Sequence, residues 1–280
     1  MKILANTLAL IFLLVFLWAP RADVADLEPM GKFSISGGAE REEGDPAGGR
    51  GAIKLLGVVP LAQNFGLQGI GHYVGGRGSR YGLSAGPLFS WDSGKAGLFV
   101  NYQHRTLRDS NFVHLRPSLS LYFDQANFNL WYSHPVSSPQ RSRTSVDYGI
   151  NQLQGTLNYF PSTDIASFMR KDNLELTLGL QANTFAGAGR KDLEGAGVGP
   201  VFGLAFMPAQ GVEVNLFRAT IDNRSRYRVF SSIAFYFSKG KETLKELRRR
   251  YLEPNPDADG GSGSVRRAQE VAPPPPPPST

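Results

Sequence analysis

The residues able to do chemistry here are few in kind, and their spacing excludes more than it offers. His72, His104, His114 and His134 are the general-base candidates. His114 shares a strand face with Ser118, and His104 lies near Ser110 and Asn111; a base beside a hydroxyl is the beginning of nucleophilic catalysis. Neither arrangement is completed by a motif, so no catalytic set is assigned. No two histidines fall at a ligand spacing, there is no carboxylate cluster, and the chain has no cysteine, so neither a metal nor a cofactor is expected. Gly75–Gly78 lacks the Lys-Ser or Lys-Thr of a phosphate loop and reads as turn chemistry.

Charge offers more. Arg116, Arg228, His114, Glu175, Glu213 and Asn215 all fall on the polar side of alternating segments, beside Asn101, Gln103, Gln154, Asn158, Gln181 and Asn183. Residues of this kind along one face can line a watered lumen and set its ion selectivity. They can also close it, if Arg116 or Arg228 pairs with Glu175 or Glu213 and Phe99, Phe217 and Phe230 turn inward. A second group, Arg77, Arg80, Arg105, Arg108, Arg141, Arg143, Arg190 and Lys191, sits in connections and strand tips, a crown able to grip phosphates through guanidinium forks. A third, Arg248, Arg249 and Arg250, lies in a helix-forming stretch and offers itself to an acidic partner.

The elements that must position these groups are strands. Leu174, Leu176, Leu178, Leu180 and Ala182 alternate with Glu175, Thr177, Gly179, Gln181 and Asn183, and the same period of two runs through Val113–Phe123, Tyr81–Trp91, Val212–Leu216 and Tyr227–Phe237. Twelve strands are predicted, over 31–39, 51–60, 65–74, 79–91, 95–104, 111–123, 127–134, 152–160, 172–184, 195–207, 211–221 and 226–238. Even connections are tight and odd ones long. The exception is Pro161–Lys171, which either holds a short helix or hides a miscounted strand.

The ends differ from this body. Residues 1–25 carry a charged start and an apolar run, the pattern of a secretory signal peptide, with an uncleaved membrane anchor as the other reading. Residues 240–253 read as a short basic amphipathic helix with Leu244, Leu247 and Tyr251 on one side. Residues 254–280, rich in Gly and ending in the run Pro273–Pro278, are expected to lack a core. The mean hydropathy of −0.23 excludes a bundle of membrane helices but not a barrel, whose apolarity is hidden at every second position.

Signal peptide, alternation, loop rhythm and a terminal strand of Val229, Ser231, Ile233, Phe235 and Phe237 together resemble bacterial outer-membrane β-barrel proteins of porin-like, about twelve-stranded form. Trp91, Tyr159, Phe160, Phe235, Tyr236 and Phe237 fall where such barrels gather aromatics at the periplasmic rim. The resemblance implies an all-β, antiparallel up-and-down transmembrane barrel over residues 30–239, located in the outer membrane with its tail in the periplasm. It implies contact with outer-membrane lipids and lipopolysaccharide through the basic crown, and with the barrel-assembly machinery through Phe235 and Phe237. In that family the terminal aromatic commonly ends the chain; here more than forty residues follow it.

Two functions follow. One is a passive pore for small solutes, favouring anions if Arg116 and Arg228 face the constriction. The other is a non-conducting anchor or scaffold whose helix and proline-rich tail plug the lumen or bind a periplasmic protein or peptidoglycan. A lipid-modifying barrel enzyme is a remote third reading. The pI of 9.5 gives no separate support for nucleic acid in an exported chain. The soluble alternative is a β-sandwich or periplasmic barrel with its apolar faces turned to an internal core.

Overall fold

A computed structural model describes residues 27–41, 47–76, 78–106, 109–137, 140–141, 145–165, 170–185, 197–221, 227–238, 242–252 and 264–268. The strands are β1 Met30–Arg41, β2 Gly48–Ala62, β3 Phe65–Gly76, β4 Arg80–Trp91, β5 Gly94–Arg105, β6 Ser110–Tyr122, β7 Ala126–Pro135, β8 Gln140–Arg141, β9 Ser145–Tyr159, β10 Leu174–Phe185, β11 Gly197–Ala209, β12 Val212–Ile221, β13 Tyr227–Phe237 and β14 Ser264–Ala268. One helix, α1, spans Leu244–Arg250.

Strands β1–β7 and β9–β13 pair antiparallel, each with its sequence neighbours. The wall closes where β1 meets β13, from Gly31 opposite Phe237 to Arg41 opposite Tyr227. Closure removes both sheet edges, which is what a wall surrounded by lipid requires. The two short strands stand apart from the barrel: β8 and β14 each pair with the first residues of β9. Thus Ser264–Ala268, within a tail expected to lack structure, forms a strand; residues 1–25 lie outside the described residues.

Which face points outward decides between a membrane barrel and a soluble one. Leu178 and Leu180 are 67% and 65% exposed, whereas Thr177 and Gln181 between and beside them are 3% and 7% exposed. The same inversion, apolar outside and polar inside, gives exposed Ile53, Leu55, Leu83, Leu98 and Val100 against buried Lys54, Ser84 and Asn101. A soluble sandwich would reverse this pattern, so that alternative is excluded. A continuous apolar outer surface of this kind needs lipid against it.

The connections sort by end. At the turn end lie Gln63–Asn64, Asp92–Ser93, Phe123–Gln125 and Gln210–Gly211, together with the start of β1 and the end of β13. Gly211 adopts φ +72°, a left-handed turn position that favours glycine. The aromatic rim at this end divides. Tyr159, Phe235 and Phe237 are exposed as expected, while Phe160 and Tyr236 are buried in the apolar cluster that includes α1. Trp91 is buried in a separate cluster with Ala96 and Leu119.

Alternation slips once, in β12. Val214 opposes Ile233 and Asn215 opposes Ser232, but the next pair is Arg218 with Phe230, so a bulge lies between them. Leu216 and Phe217 are both exposed, at 45% and 37%, while Phe99 and Phe230 are buried. The inward placement expected of Phe217 is therefore corrected. Asn215, opposite Ser232 on the inward parity of Glu213 and Ala234, turns its amide nitrogen to the bulge and donates to the carbonyls of Phe217 (2.8 Å) and Leu204 (3.1 Å).

Candidate functional site

The inner face carries two charge clusters, one toward each end. Toward the loop end, Glu40 has a fully buried side chain among three guanidinium groups. Arg80 grips it with both terminal nitrogens, Nη1 to Oε1 at 3.1 Å and Nη2 to Oε2 at 2.6 Å. Arg228, its register partner on β13, donates from Nε to Oε1 at 2.9 Å, and Arg50 lies 3.4 Å from Oε2. Parity places them there: each is at an inward position, so the wall delivers cations from β2, β4 and β13 to one acid on β1.

Arg80 and Arg105 oppose each other across β4 and β5, and both are buried on this inner face. Neither belongs to an exposed crown, which corrects that expectation for the pair. Arg77, Arg108, Arg143, Arg190 and Lys191 lie outside the described residues, and Arg141 is described only as part of β8. Arg116 does face inward, 2% exposed, donating from Nε to Ser133 Oγ at 3.3 Å, and His114 beside it is fully buried.

The turn end is organised around α1, whose residues return into the mouth of the barrel. Thr243 caps it in a reciprocal box: its side chain accepts from the Glu246 N–H at 3.3 Å, and Glu246 Oε2 accepts from the Thr243 N–H at 2.7 Å. The wall supplies further partners for the first turn. Leu244 N–H donates to Asn173 Oδ1 (2.9 Å), Lys245 N–H to the Asp172 carbonyl (3.1 Å), and Lys245 Nζ lies 2.8 Å from Asp172 Oδ1. Asp172 holds φ +61° to offer that carbonyl. The long connection after Pro161 thus returns to β10 through a seat for the helix.

Four helix-end residues, Leu244, Leu247, Tyr251 and Leu252, are buried with Met30, Leu56, Val58, Ile70, Leu88, Phe99, Phe160 and Met207. Burying four such side chains stabilises the seated helix by about 6–12 kcal/mol as an upper bound. Gln68 then pairs with the backbone of Leu252 in both directions: it accepts from the Leu252 N–H at 2.8 Å, and its amide donates to the Leu252 carbonyl.

Arg248 forms the polar lock. Its Nε lies 2.5 Å from Glu175 Oε2 and its Nη2 2.7 Å from Glu213 Oε1. The carboxylates are themselves held: Asn158 Nδ2 and Thr177 Oγ1 donate to Glu175 at 2.9 and 3.1 Å, and Tyr236 O–H donates to Glu213, which also lies 3.5 Å from Lys32. Burial opposes the charge on Arg248, but Glu175 and Glu213 outweigh it and raise its pKa well above the ordinary guanidinium value. Arg249 donates to Asn127 Oδ1 (3.1 Å) and the Phe123 carbonyl and stacks on Tyr122, while Arg250 pairs with Glu28 and Glu242. The three arginines expected to await an acidic partner are engaged by the barrel's own groups, because the apolar side of α1 docks inward and carries them in.

The inner wall holds more than its sequence pattern had singled out. Lys32, Lys54, Lys95 and Arg218 are buried there too. Parity counted from Asn101 and Gln103 reaches Lys95 and Arg105 on β5. A cavity of about 40 Å³, lined by residues including Asn127, Gln154, Asn158, Glu175 and Arg248, lies between α1 and the wall. It is polar and large enough for a water molecule.

Of the remaining histidines, His72 is buried on the inner face, and His104 and His134 sit outside this chemistry. His104 Nδ1 and Tyr102 O–H share Asn111 Oδ1 at 2.9 and 2.6 Å, and His134 Nδ1 and Tyr132 O–H share Asn151 Oδ1 at 2.7 and 3.1 Å. The first trio stands on the outer surface near the loop end; in the second, Asn151 is only 3% exposed. Ser110, expected beside His104, is buried on the opposite face.

A scan against protein-family models matches none, and no curated protein matches the chain in sequence. Among solved structures, the chain is similar to one from work on the mechanism behind the in-meso crystallization of membrane proteins, with TM-score 0.60, 12% identity, and coverage of 85% of this chain and 100% of that one. It is similar to the NanC porin with TM-score 0.51, 10% identity, and coverage of 74% and 100%. The KdgM porin is also similar, with TM-score 0.45, 14% identity, and coverage of 73% and 99%. A closed antiparallel wall of twelve strands, apolar outside and charged within, defines a transmembrane β-barrel of the outer-membrane type. Within that class the fold is porin-like.

Proposed function

We propose that this protein is an outer-membrane pore for small anions, closed at its periplasmic end by its own C-terminal helix. The observation that carries the reading is the balance of charge on the inner wall. Lys32, Lys54, Lys95, Arg50, Arg80, Arg105, Arg116, Arg218 and Arg228 are set against Glu40, Glu175 and Glu213. A narrow passage with low-dielectric walls amplifies such an excess, favouring anions and repelling cations. The turn end is assigned to the periplasm because outer-membrane barrels keep both termini and their short turns on that side.

Docking of α1 adds the second half of the reading. Leu244 and Leu247 bury fully against inward-facing apolar side chains, which a plain aqueous channel has no reason to place on its inner wall. The test is planar-bilayer conductance of the folded full chain and of a Leu244→Asp/Leu247→Asp variant, whose helix is too polar to seat. The wild type should open rarely; the variant should conduct steadily, with a reversal potential in a KCl gradient that reports chloride preference. Cation preference in the variant, or equal conductance in the two proteins, would refute the proposal. Heat-modifiable gel migration checks that both barrels are folded.

A further inference from the structure

A cleft of about 470 Å³ opens at the turn end between α1 and the β4–β5 wall. Lys95 lines it from β5, and its whole residue is only 3% exposed. Register places Ser90 on one side of Lys95 and Ser120 on the other, so its flanking inward neighbours are hydroxyls, not carboxylates. Among the described residues no ion pair or hydrogen bond satisfies its ammonium, and the side-chain charge acting on it is the like charge of Arg250.

Three of the four acids that line the same cleft are engaged by other groups. Glu28 and Glu242 pair with Arg250, and Glu246 closes the capping box with Thr243. Asp92 also lines it, on the turn between β4 and β5. A buried, unpaired ammonium is costly to keep, and a cleft beside it that opens to solvent gives it access to a counter-ion. Arg249 and Arg250 border the same space from the helix side, Arg249 bonded to the Phe123 carbonyl and Arg250 paired with Glu28 and Glu242.

We propose that the Lys95 cleft binds a small oxyanion, the shared chemistry of free phosphate and of a carboxylate-bearing solute, between β5 and the Arg249–Arg250 end of α1. The anion bridges wall and helix, so its binding holds α1 in place. This consequence for conduction rests on the reading of α1 as a plug; the binding itself does not.

The test is calorimetric titration of the folded full-length protein in detergent at constant ionic strength, with inorganic phosphate in one arm and citrate in the other. Saturable binding at one site is expected in at least one arm, and the arm that saturates identifies the source. Affinity should fall at least tenfold in Lys95→Met and Lys95→Gln and stay within twofold in Lys171→Gln, which removes an exposed cation near the same end. Lys95→Met is expected to fold, since it removes a buried charge; thermal unfolding should show phosphate or citrate raising the melting temperature of the wild type but not of this variant. Absence of saturation in both arms, or equal affinity in the Lys95 variants, overturns the site. If the Lys95-dependent binding is present and the Leu244→Asp/Leu247→Asp barrel conducts no better than the wild type, the site stands and the plug reading fails.

Discussion

The two charge clusters inside the barrel are inverted copies of one another. Toward the loop end one carboxylate, Glu40, sits among Arg50, Arg80 and Arg228; at the turn end one guanidinium, Arg248, sits between Glu175 and Glu213. In the first, every partner belongs to the wall, so the cluster rivets strands that hydrogen bonding already joins. In the second, the cation arrives on a helix and the acids wait on β10 and β12. The first leaves net positive charge behind; the second comes close to neutral, more so with Lys32 beside Glu213. On the proposed reading of α1 as a plug, the same chemistry serves a permanent joint in one place and a separable one in the other.

The largest expected effect comes from breaking the separable joint. Arg248→Ala leaves Glu175 and Glu213 buried without their shared cation, and losing one partner of a buried pair costs about 3–5 kcal/mol. If α1 is the plug proposed above, the helix leaves while the wall stays closed, and that cost should fall on docking. Open probability in planar bilayers should rise a hundredfold or more, with the unfolding temperature of the barrel little changed. A variant that melts much earlier yet conducts like the wild type would show that the cluster holds the wall and not the plug.

Glu40→Gln tests the opposite half. The amide keeps the shape but loses the charge that three guanidiniums share, an effect of about 2–3 kcal/mol for charge-assisted hydrogen bonds. Here the cost should appear in the barrel itself, as earlier unfolding in heat-modifiability assays, with open probability unchanged. Once the helix is released, by Leu244→Asp/Leu247→Asp, chloride preference should increase further because an acid has left the lumen. Unaltered selectivity in that background would place Glu40 away from the ion path.

The contrast also explains what could be seen in advance. The wall was legible because its signal is local: each strand repeats a period of two, and the observed ends fall close to those expected, apart from the early start of β9 at Ser145. Arg116, His114, Glu175 and Glu213 were legible as inward groups by the same parity. Two things were not. Phe217 lost its expected face to a bulge, which shifts parity without leaving a mark in the residues themselves. The destination of α1 stayed open between the lumen and a periplasmic partner, because amphipathic spacing says that Leu244 and Leu247 need an apolar surface but not where it lies.

A trace of that surface did exist. Leu55 and Leu56, then Val58 and Val59, are apolar on both faces of β2, and the inward pair Leu56 and Val58 is what α1 covers. Apolar residues on an inner wall predict an internal occupant. Gln68→Ala examines that seat directly, since it strips the paired partner from both backbone groups of Leu252. A loss of about 2 kcal/mol in docking is expected, the cost of unsatisfied buried polar groups, read as an increase in open probability smaller than that of Arg248→Ala.

The smallest expected effect separates helix formation from helix docking. Thr243→Ala removes the capping side chain, but the Asn173 side chain and the Asp172 carbonyl still receive the N–H groups of Leu244 and Lys245. Capping substitutions cost about 1 kcal/mol, equivalent to roughly a fivefold shift in docked population. With the wall supplying part of the cap, open probability should rise by no more than that, and the Gln variant of Glu40 should not change the increment, because the two clusters share no partner and their effects should add. A combined variant whose open probability departs from the product of the separate effects by tenfold would mean that the wall rivet and the helix lock are coupled, and the division between permanent and separable joints would then have to be given up.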